Sequence, residues 1–121
     1  MASPNDDHPI SVERNQSRVR VLWRGRVVAD TTHALNLIEA SYPVVHYIPR
    51  EDVAMAHLVR SPHQTRCPYK GAAGYYSLTA DGRITENAVW TYEAPLPAVA
   101  AIAGYLAFYP TLVDRIEETQ A

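Results

Sequence analysis

The stretch Thr65-Arg66-Cys67-Pro68-Tyr69-Lys70-Gly71 holds the densest set of chemically capable side chains in the sequence. Pro68 fixes its own φ and Gly71 tolerates conformations other residues resist, so the segment reads as a defined turn that can hold Cys67 and Lys70 on the same side. An ammonium beside a thiol raises the thiolate fraction, which a nucleophilic or redox-sensing cysteine requires. The competing reading makes Cys67 a small buried hydrophobe, the commoner state of a free cysteine. In either case Lys70 is expected to serve a ligand more than the fold, as a long cation projected from a rigid turn.

Elsewhere the chemistry is sparse. His33, His46, His57 and His63 show neither i, i+4 spacing nor a short zinc-site spacing, and Cys67 is the only cysteine, so no metal or other cofactor is expected. His46, on a short strand, reads as a half-buried structural residue. Asp52, Glu86 and Glu93 are scattered, and neither a Gly-rich phosphate loop nor a Gly-x-Ser-x-Gly elbow is present. Tyr47, Tyr69, Tyr75, Tyr76, Trp90 and Tyr92 lie on or beside the expected strands, where such rings can line a pocket or fill a core.

The elements that must position these residues are mainly strands. Arg18 to Asp30 alternates apolar and polar residues on either side of Arg24-Gly25, which predicts a hairpin with Val19, Val21 and Trp23 on one face. Asp81-Gly82 predicts a second hairpin, with Tyr75 facing Ala88, Ser77 facing Glu86 and Thr79 facing Ile84. Val44 to Ile48, bracketed by Pro43 and Pro49, predicts one short strand; Leu35 to Glu39 is ambiguous. Arg50 to Leu58 predicts a short helix. Ala98 to Tyr109, with Ile102, Tyr105, Leu106 and Tyr109 at i, i+3, i+4 and i+7, predicts a C-terminal helix that continues beyond Pro110.

The chain has 121 residues, 47% of them hydrophobic and 20% charged, which fits a single domain over residues 18–121 after a partly disordered tail over 1–17. A net charge of −2 argues against nucleic acid as a partner, and Arg18, Arg20, Arg24 and Arg26 read as a solvated hairpin face. No apolar run is long enough for a membrane span or signal peptide, and the lone cysteine suits a reducing compartment, so a cytoplasmic location is expected. Oligomeric state leaves no trace in the sequence.

Five ordered blocks carry a family resemblance: Trp23-Arg-Gly-Arg-Val-Val-Ala-Asp, Tyr47-Ile-Pro-Arg-Glu-Asp-Val, Thr65 through Tyr76, Asn87-Ala-Val-Trp-Thr-Tyr-Glu-Ala-Pro and Gly104-Tyr-Leu-Ala-Phe-Tyr. Over residues 18 to 115 the sequence resembles the bacterial domain-of-unknown-function family number 427. The resemblance implies a β-tent, two antiparallel sheets meeting along a ridge, as in methionine-R-sulfoxide reductase domains and the ligand-binding domain of cereblon. Zinc held by two Cys-x-x-Cys knuckles in many β-tents has no counterpart in this sequence. The nucleotidyltransferase label sometimes given to the family lacks its paired metal-binding carboxylates and Gly-Ser motif.

The resemblance also implies a location, with Tyr47, Arg50, Asp52, Cys67, Lys70, Trp90 and Tyr92 around one cleft. Three functions stand open on these residues. The first is a small-molecule-binding domain, with or without catalysis, in which Lys70 and Arg50 meet an anionic or nucleotide-like ligand between Tyr47, Trp90 and Tyr92. The second is a non-catalytic module that takes a partner's peptide. The third is a thiol enzyme or redox sensor built on Cys67.

Overall fold

The computed structural model describes residues 8–121. Ten strands run in chain order: β1 (Ile10–Arg14), β2 (Arg18–Trp23), β3 (Arg26–Thr31), β4 (Leu35–Glu39), β5 (Val45–Tyr47), β6 (Leu58–Cys67), β7 (Gly71–Ala80), β8 (Arg83–Thr91), β9 (Leu106–Phe108) and β10 (Arg115–Thr119). They form three antiparallel sheets, ordered β1-β4-β5, β10-β2-β3 and β6-β7-β8-β9, where the family resemblance led us to expect two. A single bridge, Ile48 to Leu106, continues the first of these into the last. Among the described residues, no helix is long and apolar enough to cross a membrane.

The first hairpin forms as its alternation requires. Val19, Val21 and Trp23 are all at most 2% exposed, and Arg24 and Gly25 both take positive φ at the turn. The second hairpin turns at Asp81-Gly82 with Thr79 opposite Ile84, but its register then shifts by two residues, placing Tyr75 opposite Trp90 instead of Ala88. The shift is a bulge centred on Asn87, which sits at φ 55° with its N–H donated to the Ser77 hydroxyl. A slip of two residues preserves the inward and outward faces, which is why the hydrophobic alternation does not reveal it.

Three other expectations fail. Arg50 to Leu58 forms two 3-10 turns, Arg50–Asp52 and Met55–His57, before the chain extends into β6. Pro62 lies within β6 where the register to β7 is interrupted, at the edge of its sheet, and there the missing N–H leaves no ladder bond unmade. The C-terminal helix is absent. Pro97–Ile102 is a kinked pair of 3-10 turns, Gly104 takes φ 77°, and Leu106–Phe108 is the strand β9. Leu106, Ala107 and Phe108 are buried on both faces, and a short, fully buried apolar run has no period that separates strand from helix. Of the tail expected over 1–17, residues 1–7 lie outside the described residues, and Ile10–Arg14 is β1, paired to β4.

Sheet β6-β7-β8-β9 lies between two cores because alternate side chains leave it on opposite faces. Leu78, Leu106 and Phe108 join Val19, Val21, Trp23 and Val28 in a core against β2 and β3. Ala73, Tyr75, Tyr92 and Ala107 join Leu37, Tyr47, Val99 and Ile102 in a second core under β4, β5 and the 3-10 segment.

Candidate functional site

Two strands that begin to pair and then part create the main cleft. Ile48 and Leu106 exchange both backbone hydrogen bonds, at 2.8 and 2.9 Å. Continued antiparallel pairing would set His46 opposite Phe108 and Val44 opposite Pro110. Pro110 has no N–H, and neither has Pro43 just beyond Val44, so the ladder cannot run on through Val44 and Pro110. The strands splay instead around a cleft of about 760 Å³, with Val44, Val45 and His46 on one wall and Phe108 and Pro110 on the other. Trp90, Lys70, Glu39 and Tyr42 border it on one side of the sheet, and Arg115 and Ile116 of β10 on the other.

Trp90 is half-buried and held in place. Its Nε1–H donates to the Tyr47 hydroxyl at 3.1 Å, and its ring lies 4.4 Å from that of Tyr109. Tyr47 itself is 1% exposed and Tyr92 5%. Burial pushes both phenols upward, in Tyr47 against the opposing hydrogen bond from Trp90. These two tyrosines support the floor from within the core and give the cleft no wall of their own.

Lys70 follows Pro68 and Tyr69 in the turn between β6 and β7, where Cys67 pairs with Gly71. The turn is tied down by Leu96, whose N–H donates to the Lys70 carbonyl at 2.9 Å. Contrary to a free cation projected over a pocket, the Lys70 side chain is 13% exposed and its Nζ donates to Glu39 Oε1 at 2.5 Å. His8 donates from Nε2 to the other Glu39 oxygen at 2.6 Å and stacks on Tyr69 with ring centroids 3.8 Å apart. Burial works against the Glu39 carboxylate, but the hydrogen bonds from Lys70 and His8 outweigh it and hold Glu39 below its ordinary range. Cys67 is half-buried and does not line the cleft.

Arg50 and Asp52 stand elsewhere. Arg50 donates to the Tyr76 hydroxyl at 3.2 Å, and Asp52 accepts from Thr31 Oγ1 at 2.7 Å beside β3. The sequence therefore brings Lys70 and Trp90 to the cleft, Tyr47 and Tyr92 beneath it, and Arg50 and Asp52 to neither place. It missed His46, Glu39, Phe108 and Arg115 as lining residues. The signal that could have found them is the pair Pro43 and Pro110, each ending a strand edge.

A family model described as a domain of unknown function (DUF427) matches residues 11–119. The chain belongs to this family. No curated protein matches the DUF427 domain described here. Among its described residues, no three His, Cys, Asp or Glu side chains are grouped to hold a metal ion.

Proposed function

We propose that this DUF427 domain binds a small planar metabolite carrying an anionic group, with the ring in the β5/β9 cleft. The observation that supports the reading is the parting of two strands, which leaves a hollow within the ~300 to 1,000 Å³ typical of ligand sites. Trp90 offers a ring face already fixed by Tyr47 and Tyr109, and Arg115 offers a guanidinium. The Arg115 side chain is 61% exposed and, among the described residues, bonded only to the neighbouring Glu117, so a ligand anion can compete for it.

The strand series β1-β4-β5-β9-β8-β7-β6 facing β10-β2-β3 fits the two slopes of a β-tent, and the cleft then cuts one slope near the ridge. A cytoplasmic setting agrees with a single unpaired cysteine. Cys67 lies off the cleft and the Lys70 ammonium is committed to Glu39, so the thiol reading gains no support from the geometry.

Native mass spectrometry of freshly purified protein, followed by titration with nucleoside monophosphates and aromatic carboxylates, tests the reading. Trp23 is 2% exposed, so binding should change the emission of Trp90, and Trp90→Phe should abolish the response. A protein that retains nothing and whose Trp90 emission responds to no planar anion does not use this cleft as proposed.

A further inference from the structure

On the wall of the cleft, His46 takes part in a polar chain whose donors and acceptors can be assigned one after another. A backbone N–H only donates, so the Ser17 N–H at 2.7 Å makes the facing Asn15 atom its carbonyl oxygen. The Asn15 amide nitrogen then donates to Asn36 Oδ1 at 3.0 Å and to Glu118 Oε2 at 2.7 Å, the carboxylate independently requiring a donor there. Asn36 therefore also presents its oxygen to His46 Nδ1, 2.7 Å away. An oxygen that only accepts demands that Nδ1 carry the hydrogen. In the neutral ring, the lone pair must sit on Nε2.

Among the described residues, Nε2 makes no hydrogen bond. Glu118 Oε1 lies 3.8 Å from it, itself an acceptor and beyond hydrogen-bond distance. We propose that His46 is the cleft's proton acceptor, fixed as the Nδ1–H tautomer by Asn36 and Asn15, and that it selects planar ligands bearing an O–H or N–H donor. The selection of ligand rests on the cleft-binding reading above; the tautomer does not.

Nitrogen-15 NMR of the free protein at about pH 8, where a model imidazole is neutral, should show His46 protonated at Nδ1. Asn36→Asp, which keeps an acceptor in place, should preserve that state, and Asn36→Leu should release it. A wild-type His46 protonated at Nε2, or a tautomer indifferent to Asn36→Leu, overturns the assignment. For ligand selection the probes are para-hydroxybenzoate and its para-methoxy ether. The phenol should bind at least tenfold tighter and shift the Nε2 signal, His46→Phe should erase the preference, and His46→Gln should restore part of it. If both probes change Trp90 emission equally, the role of His46 falls while the cleft reading stands. If no planar anion changes Trp90 emission, ligand selection falls together with that reading.

Discussion

Lys70 Nζ lies 2.5 Å from Glu39 Oε1, and the two side chains are only 13% and 14% exposed. This ion pair ties the β6–β7 turn to the end of β4 at the rim of the cleft, so Lys70 serves both the fold and the site. Removing the cation leaves a largely buried carboxylate with His8 as its remaining partner among the described residues. Lys70→Met should cost about 1–3 kcal/mol, and adding Glu39→Gln should recover at least half of it. Urea unfolding of the single and double variants measures the coupling; strictly additive losses would show the pair to be incidental.

The same carboxylate predicts a contribution to acid stability. Glu39 in the folded state lies below its ordinary value of 4.5, so its contribution is complete above that pH and is lost as the pH falls through the depressed value. Denaturant midpoints between about pH 5 and pH 2 should fall less steeply for Glu39→Gln than for wild type. Parallel curves would mean that the carboxylate is no better placed in the folded chain than in the unfolded one.

At high pH the expected direction reverses. Burial, aided by the hydrogen bond with Tyr75, pushes the Tyr109 phenol up to about 12, and burial raises Tyr47 and Tyr92 further. Unfolded phenols ionise near ~10, so the folded chain holds protons that the unfolded chain has released, and stability declines as pH rises from there. Burial also opposes ionisation of Tyr76, yet hydrogen bonds from Arg50 and Arg60 prevail and lower it, a single opposing contribution against three. Tyr109→Phe should flatten the alkaline decline, as read from melting temperatures at about pH 9 and pH 11. An unchanged slope would place the loss elsewhere.

Gly71 closes the turn at φ 110°, with space for a methyl group since the nearest atom to an added Cβ is the Ala94 carbonyl oxygen at 3.5 Å. The penalty for Gly71→Ala is therefore one of backbone conformation alone, about 1–2 kcal/mol. A neutral result in thermal unfolding would show that the turn relaxes without cost.

Both glycine-centred hairpins were legible because period-two alternation and a turn dipeptide are local signals, and Val19, Val21 and Trp23 are buried as that alternation requires. The bulge at Asn87 was not, because a shift of two residues leaves every face unchanged. Strand β9 was hidden for a different reason. Leu106 is extended because Ile48 and Thr91 are there to receive it, a circumstance distant in sequence that outweighed a helical spacing of apolar residues. For the site, residue type singled out Lys70 in its turn and Trp90 among the aromatics, and only the family blocks set both beside one cleft. His46 was read as a structural residue because its proton is assigned only through Asn36, Asn15 and Ser17, on two other stretches of chain.

Strand β10 pairs with β2, and Asn15 bonds Glu118 across 103 positions of sequence. During synthesis, the β6 to β8 meander has all its partners close at hand, while β2 waits with one edge bare until β10 leaves the ribosome. Because distant closures are slow, we expect β6 to β8 to gain protection first in pulse-labelled hydrogen exchange, and β2 only together with β10. Simultaneous protection of both regions would contradict this order. Arg20, on that bare edge, would then have a temporary task before Glu117 meets it: keeping an unfinished edge from joining a neighbouring nascent chain.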